Sequence, residues 1–376
     1  MRVPAVLNLS LALALLPATA MAGVVSLSNQ AHKTETHKAE KYWTAERLAA
    51  ARPLPMQQLD RDPGAIQEAL EAEEPAGRPV FGEGRAPVAG VRPDPANRLF
   101  EPHDREIDRE VAAMFSALEE ENRSVAEPVS GNSGAYFTSS RLVPLSADRS
   151  YPYTTVGVLF FTIPGKGDFY CTASVIRKRI IATAGQCVHS GTQNPGFYDN
   201  FEFVPAFRDG VAPFGTWEWE FVTVATAWTG GGGKLPNAAD YALIEVADRV
   251  IDGVTRKLGD VVGFLGYQTQ RLRPNHAHLL AFPSNFDGGN KMHQVTAKDF
   301  KAGKSSNVEY GSDMRAGSAG GPLIQDFGDN PALARWIGAI SYYTNSAPVK
   351  TQGASIPDSR FTTLINGACA HRSGNC

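Results

Sequence analysis

A glycine-rich stretch near the end of the chain has the composition of a turn that presents a nucleophile for attack on a carbonyl group. Residues 317–322 read G-S-A-G-G-P. Covalent attack needs a hydroxyl or a thiol, together with a base that accepts its proton. The middle of the stretch is Ala319, which carries only a methyl group. The neighbouring Ser318 does carry a hydroxyl, but adjacent side chains on a tight turn point in different directions, so we expect it to make a local hydrogen bond.

Short strands are the elements that must position this turn. After residue 136 the sequence consists of alternating or β-branched runs, such as T-T-V-G-V-L-F-F-T-I and W-E-W-E-F-V-T-V-A-T-A-W, separated by glycine, proline and asparagine. Many short strands without a strong helical period between them indicate an all-β sandwich or barrel. The roughly 225 residues of this region suit two small barrels.

Four motifs in this region resemble those of the trypsin-like serine proteases, in the secreted bacterial branch related to the glutamyl endopeptidases. In chain order they are Y-C-T-A-S-V-I-R-K-R-I-I-A-T-A-G-Q-C-V (170–188), F-V-P-A-F-R-D-G-V-A-P-F-G-T-W-E-W-E (203–220), A-D-Y-A-L-I-E-V (239–246) and G-S-A-G-G-P-L-I (317–324). The resemblance covers about residues 151–370. It implies a chymotrypsin-like fold of two packed six-stranded antiparallel β-barrels, preceded by a helical and proline-rich N-terminal region.

The resemblance also assigns three catalytic positions, and two of them are substituted. Gln186 stands where the family has its histidine and Ala319 where it has its serine, while Asp240 is retained. A glutamine amide neither gains nor gives a proton near neutral pH, and alanine has no lone pair for attack. The backbone N–H groups of Gly317 and Ala319, at the family's oxyanion hole, do not depend on side chains. A protease site that has lost its catalytic triad retains a rate enhancement of only about 10³ to 10⁴-fold over the reaction in water.

Two further residues, Ser341 and Asp313, have positions with a meaning in this family, and a third, His189, lies close to Gln186 in the sequence. Ser341, in G-A-I-S-Y-Y, resembles the strand serine whose hydroxyl holds the catalytic aspartate, or it is simply a strand residue. Asp313 precedes the turn at the position where some relatives place the determinant of the primary specificity pocket. The cysteines that bracket that pocket are missing, so no preference for Arg or Lys follows. His189, shortly after Gln186, is expected to be an exposed loop residue outside the reach of a general base.

The four cysteines indicate an oxidising compartment. Sequence alone permits three pairings, and pairing neighbours along the chain favours Cys171 with Cys187 and Cys369 with Cys376. In the resemblance, the first pair encloses the histidine position. The sequence shows neither a C-x-x-C motif nor the spacing of histidine ligands, so we expect no metal and no cofactor.

The N-terminal sequence predicts export. Residues 1–22 combine a charged start, the apolar run A-V-L-N-L-S-L-A-L-A-L-L-P-A-T-A and the small-residue site A-M-A, which together are typical of a secretory signal peptide. The mature protein is therefore expected outside the cytoplasm, either secreted or periplasmic. No later apolar run reaches the roughly 18 residues that a membrane span needs, so no membrane association is expected after cleavage.

The region between the signal peptide and the barrels has a different composition. Residues 23–135 are predicted to be a helical and proline-rich pro-segment or linker, and residues 136–376 the trypsin-like serine protease domain. Residues 75–102 carry many prolines and glycines and indicate an extended linker. Residues 104–121 carry an apolar stripe on an otherwise acidic helix. That helix docks on the following domain, binds a partner, or belongs to a loosely held arm.

These observations favour a secreted serine protease homologue without activity that binds a peptide or protein ligand in the cleft between the barrels. The alternative is an active endopeptidase, made as a pro-enzyme, with an unrecognised nucleophile and base. In a third hypothesis the acidic helix is the functional element and the barrels anchor it. A net charge of −3 without a basic patch argues against nucleic acid as a partner, and the oligomeric state stays open.

Overall fold

The computed structural model describes residues 26–30, 41–59, 78–101, 135–142, 144–270, 276–302, 306–346 and 349–376. The predicted signal peptide at 1–22 and the predicted amphipathic helix at 104–121 lie outside these residues. None of the described helices has the length and apolar character needed to cross a bilayer.

Strands dominate the described chain, in agreement with its short β-branched runs. In chain order they are β1 (Ser26–Gln30), β2 (Arg52–Pro53), β3 (Phe81–Gly82), β4 (Phe137–Arg141), β5 (Val156–Ile163), β6 (Gly167–Val175), β7 (Ile180–Thr183), β8 (Asp199–Pro205), β9 (Trp217–Ala225), β10 (Ala242–Val246), β11 (Arg249–Ile251), β12 (Val254–Arg256), β13 (Gly266–Gln268), β14 (His276–Ala281), β15 (His293–Ala302), β16 (Asn307–Gly311), β17 (Pro322–Gln325), β18 (Arg335–Ser346) and β19 (Val349–Ser355). The α-helices are α1 (Ala45–Ala50), α2 (Thr226–Gly230), α3 (Leu258–Val262) and α4 (Ser359–His371).

Six strands close the first barrel. Their order is β9, β10, β7, β6, β5 and β8, and β8 returns to pair with β9, with every neighbouring pair antiparallel. The strand β5, V-G-V-L-F-F-T-I, is buried along nearly its whole length, which means that both of its faces are covered. Two strands from the N-terminal region extend this sheet, since β1 pairs with β9 and β2 pairs in parallel with β6.

Six further strands close the second barrel, in the order β17, β14, β15, β16, β19 and β18, with β18 returning to β17. Outside this ring, β13 pairs in parallel with β18, β3 pairs with β13, and β4 pairs with β15. The prediction of an all-β protein with two six-stranded antiparallel barrels is therefore confirmed.

Part of the region before residue 136 packs on the barrels. Trp43, Met56 and Phe100 are buried and belong to the same hydrophobic core as the barrel side chains. The segment predicted to be an extended linker contributes the short strand β3 to the second barrel's sheet. The boundary at residue 136, and a pro-segment role for the region before it, stay predictions.

Both predicted disulfides are present. Cys171 in β6 is bonded to Cys187 in the loop after β7, with an S–S distance of 2.03 Å. Cys369 in α4 is bonded to Cys376 at the end of the chain, with an S–S distance of 2.00 Å. The first bridge ties together two parts of the first barrel that carry the candidate site.

Candidate functional site

The loop after β7 positions Gln186. Residues Gly185–Cys187 form a short 3₁₀ helix that the disulfide holds against β6. The backbone N–H of Gln186 donates to Asp240 Oδ1 at 2.8 Å. Its side-chain Nε2 donates to Asp240 Oδ2 at 2.9 Å and to the carbonyl oxygen of Ser341 at 2.5 Å. Both hydrogens of the side-chain amide are thus committed to hydrogen bonds.

Asp240 lies just before β10 and is fully buried. Besides the two bonds from Gln186, its carboxylate accepts a hydrogen bond from Ser341 Oγ at 2.5 Å. Its backbone N–H donates to Ser355 Oγ at 2.9 Å. The fold therefore brings together Gln186, Asp240 and Ser341, which lie far apart in the sequence, and surrounds the carboxylate with neutral donors.

Burial raises the pKa of Asp240 from 3.8 to about 6, and the hydrogen bonds from Ser341 and Gln186 oppose the shift. The physical cause is the lost hydration of a charged carboxylate in a fully buried position. A cationic imidazolium at position 186 would favour the charged form, whereas the neutral amide of Gln186 provides hydrogen bonds alone. Asp240 is consequently held without a cationic partner among the groups that contact it.

The pH dependence of stability tests this environment. Because folding raises the pKa of Asp240, its contribution to the free energy of unfolding is fully present below its ordinary pKa of 3.8 and is lost as the pH rises through about 6. From pH 4 to pH 7.5, we expect the stability of the natural protein relative to Asp240→Asn to fall by roughly 2 to 3 kcal/mol in urea unfolding. The variant serves as the reference because burial also raises the pKa of Asp148 to about 6. A relative stability independent of pH would contradict the expectation.

The glycine-rich turn lies between β16 and β17. Gly317 and Gly320 have φ angles of +88° and +83°, which residues with a Cβ rarely adopt. The carbonyl oxygens of Gly317 and Ala319 accept hydrogen bonds from the hydroxyl and the N–H of Thr172, both at 2.9 Å. In the part of the chain that the structure describes, the N–H groups of Gly317 and Ala319 have no acceptor. The turn that carries the methyl group of Ala319 thus has two backbone N–H groups without a hydrogen-bond acceptor.

Ser318 makes the local hydrogen bond expected from the sequence. Its hydroxyl donates to the carbonyl of Arg315 at 2.6 Å and accepts from Gln352 Nε2 at 2.7 Å. The residue is fully buried. Both contacts hold the hydroxyl of Ser318 inside the turn.

Asp313 lies on the approach to the same turn. Its carbonyl oxygen accepts a hydrogen bond from Asn285 Nδ2 at 3.0 Å. Its buried Oδ1 has no hydrogen-bond partner among the described residues. The role of Asp313 in a specificity pocket stays a prediction.

His189 differs from its expectation, because it is buried and not exposed. Only 5% of the residue is accessible, and its Nδ1 accepts a hydrogen bond from the N–H of Gly191 at 2.9 Å. The loop folds back so that His189 forms a bridge with Phe197 and packs edge-on against its ring. Burial lowers the pKa of His189, which favours the neutral imidazole. The residue is a structural part of the loop.

A further group of residues, which the sequence did not indicate, lies beside this turn. The sulfur of Met56 lies 3.7 Å from Gln352 Nε2 and 4.0 Å from Ser318 Oγ. The guanidinium of Arg315 lies over the ring of Tyr343 in β18, 4.5 Å from its centre. The only signal for Met56 in the sequence is its place in R-P-L-P-M-Q-Q-L, where two prolines favour an extended backbone.

Contacts between a hydroxyl and an imidazole occur on the sheet of the second barrel. Ser139 Oγ lies 2.7 Å from His293 Nε2, and Thr296 Oγ1 lies 3.0 Å from His278 Nε2. Burial lowers the pKa of both histidines. Among the described residues, Nδ1 of His293 has no hydrogen-bond partner, so no carboxylate orients that ring as a catalytic aspartate would.

The described residues contain no cluster of three or more His, Cys, Asp or Glu side chains that could hold a metal ion. The turn contains two backbone N–H groups, those of Gly317 and Ala319, without an acceptor among the described residues. Asp240 is hydrogen-bonded to Gly185, Gln186, Ser341 and Ser355, and none of these residues carries an imidazole.

Comparisons with known proteins gave matches among solved structures. No protein-family model matches the chain, and no curated protein matches it. Among solved structures, the protease Anisep from Arthrobacter nicotinovorans superposes with a TM-score of 0.50 at 22% identity, over 62% of this chain and 100% of its own. The thermostable serine protease AL20 from an extremophilic microorganism gives 0.48 at 24% identity, over 58% of this chain and 98% of its own. A Glu endopeptidase gives 0.47 at 17% identity, over 62% of this chain and 96% of its own. The similarity to Anisep shows a shared fold.

Proposed function

From the premise that this chain has the two-barrel fold of the chymotrypsin-like serine proteases, we propose that it is a secreted homologue that does not hydrolyse peptides. Its role is to bind an extended peptide or protein segment in the cleft between the barrels. Two side chains carry the proposal: the amide of Gln186, which is hydrogen-bonded to Asp240, and the methyl group of Ala319 in the glycine-rich turn.

The side-chain chemistry of Gln186 argues against a role as general base. A base must present a lone pair to the attacking hydroxyl and hold the proton afterwards. The Nε2 group of Gln186 donates to Asp240 and to Ser341, and an amide nitrogen has no basic lone pair near neutral pH. Without a hydroxyl at Ala319 there is also no proton for a base to remove.

The groups that remain favour binding over chemistry. Uncommitted N–H groups at Gly317 and Ala319 are suited to receive a carbonyl oxygen of a ligand backbone. An extended strand adds main-chain hydrogen bonds at a sheet edge, while a pocket selects one of its side chains. Export is supported by the two disulfides, which persist in oxidising compartments.

Restoring the missing groups tests the proposal. We expect the natural full-length protein to show no peptidase activity and no labelling by a serine-reactive phosphonate. The double variant Gln186→His with Ala319→Ser is expected to gain phosphonate labelling, because an imidazole bonded to Asp240 can then activate the new hydroxyl. The matched control Ala319→Ser has the hydroxyl without the base and is expected to react at least about 10²-fold more slowly. Peptidase activity of the natural protein that persists through extensive purification would contradict the proposal.

The alternative is an active endopeptidase that uses a different hydroxyl and base. The contact between Ser139 and His293 is the observation that favours it. Hydrolysis by the natural protein that is lost in Ser139→Ala, and retained in the neighbouring Ser140→Ala, would support this alternative over an inactive homologue.

A further inference from the structure

Residues 54–59 cross from one barrel to the other next to the candidate site. The N–H of Leu54 donates to the carbonyl of Tyr170 in β6 at 2.9 Å. At the other end, the N–H of Leu59 donates to the carbonyl of Tyr343 in β18 at 2.9 Å, and the N–H of Tyr343 donates to the carbonyl of Gln57 at 3.1 Å. Tyr170 adjoins Cys171, so the segment bridges the two barrels close to the disulfide of the site.

Met56 anchors this segment in a pocket. The residue is only 8% exposed, whereas its neighbours Gln57 and Gln58 are exposed. Its sulfur contacts Gln352 and Ser318. Gln352 is held in place because its Oε1 accepts from Ser312 Oγ at 2.9 Å, and because its Nε2 donates to Ser318 Oγ and the carbonyl of Met314. A fixed wall of this kind gives the pocket a defined shape for one long side chain.

We propose that residues 54–59 are a built-in ligand of the cleft, and that an external peptide binds there only after this segment has left. The inference rests on the proposed function, because it concerns the regulation of the same peptide-binding site. In the present conformation Ala319 has 0% exposure, and the sulfur of Met56 lies 4.0 Å from the hydroxyl oxygen of the adjoining Ser318. The segment closes the cleft in cis.

The pairing with β18 makes internal and external occupancy mutually exclusive. Gln58 and Tyr343 form a parallel bridge, and the hydroxyl of Tyr343 also donates to Gln58 Oε1 at 3.1 Å. A strand that adds to this edge in either direction needs the same N–H and carbonyl of Tyr343. A second peptide therefore has no main-chain partner at this position while Gln57 and Leu59 use both groups.

The chain before this segment tethers it to the first barrel. Trp43 is buried, its Nε1 donates to the carbonyl of Asn200 at 2.7 Å, and its ring packs on Phe160. Such a tether holds the segment near the cleft at an effective concentration on the order of millimolar. Pro53 and Pro55 restrict the free segment to extended conformations, which lowers the entropy lost on binding. The apparent affinity for an external peptide is then lower than the intrinsic affinity, in proportion to the fraction of molecules whose cleft is open.

The pocket indicates the class of peptide that competes. It accepts a flexible thioether side chain, and the polar groups that touch the sulfur are an amide and a hydroxyl without charge. A charged side chain would lose its hydration there without an opposite charge in contact. We therefore expect extended peptides with methionine, or a similarly long unbranched apolar side chain, at the position of Met56.

The test uses the full chain with Met56→Asp, which places a charge in the pocket, and the matched control Gln57→Asp, which places the same charge one exposed position away. The probe is a fluorescent synthetic peptide with the sequence of residues 52–59, R-P-L-P-M-Q-Q-L. Binding is measured by anisotropy, and hydrogen exchange reports whether the N–H of Tyr343 has lost its acceptor. Met56→Ala is a milder variant, expected to shift both readouts in the same direction.

We expect Met56→Asp to bind the peptide at least about tenfold more tightly than Gln57→Asp and the natural protein, with faster exchange at Tyr343. A peptide with Asp in place of its methionine should not bind. Equal peptide affinity and equal exchange in Met56→Asp and Gln57→Asp would overturn the proposal that residues 54–59 occupy the cleft. Faster exchange at Tyr343 without any peptide binding would support the occupancy of the cleft by residues 54–59 and contradict the proposed peptide-binding function.

Discussion

Replacing Gly320 by alanine is expected to lower the free energy of unfolding by about 3 kcal/mol or more. Gly320 has a φ of +83°, and a Cβ built there would lie 2.1 Å from Thr183 Oγ1 and 2.2 Å from the carbonyl oxygen of Thr172. Thr172 belongs to β6 inside a closed barrel, so its carbonyl cannot move aside without disturbing the sheet. The loss therefore combines an unfavourable backbone angle with a steric conflict against main-chain atoms.

Urea unfolding of matched alanine variants measures this effect. Gly165 lies in the turn between β5 and β6 with a φ of +76°, and a Cβ there would meet no atom within 4 Å. Gly165→Ala therefore carries the backbone cost alone and is expected to lose about 1 kcal/mol. Equal losses of stability in the two variants would contradict the expected steric conflict between a Cβ at position 320 and β6.

Removing the disulfide between Cys171 and Cys187 by a double substitution to alanine is expected to cost about 3 kcal/mol of stability. The bridge closes a loop with a sequence separation of 16, and both cysteines are fully buried. Without it the unfolded chain gains freedom, and the 3₁₀ helix that carries Gln186 loses its covalent link to β6.

The second disulfide is the internal control for this prediction. Cys369 and Cys376 have a sequence separation of only 7 and lie near the end of the chain. The corresponding double alanine variant is expected to lose less, about 2 kcal/mol, in the same urea unfolding experiment. A larger loss of stability at the second bridge than at the first would contradict the expected dependence on the length of the closed loop.

Much of the fold could be predicted because it depends on local patterns. Short β-branched runs predict strands whatever conformation the rest of the chain adopts. Cysteines close in sequence have few competing partners. The candidate site could be predicted in part for the same reason, since Gln186, Asp240 and Ala319 each lie within a motif of adjacent residues. The hydrogen bonds between Gln186 and Asp240 join two of these motifs in the first barrel.

The wrong expectation for His189 shows where local reasoning ends. Its burial depends on the loop folding back onto Phe197 and on the indole Nε1 of Trp228, which donates to its carbonyl at 3.0 Å. Polar residues after a strand are usually exposed, and no pattern in the adjoining sequence indicates the later aromatic partner.

The sequence by itself determined which chemical groups exist at the site, because side-chain reactivity is a covalent property of each residue. An amide at Gln186 and a methyl group at Ala319 lack a basic lone pair and a nucleophile in any conformation. Only the tertiary structure decided which groups meet. The contact between Met56 and Gln352 joins residues 296 positions apart, and such a contact arises only when both barrels have closed, because burial and shape select it and local conformational preference does not.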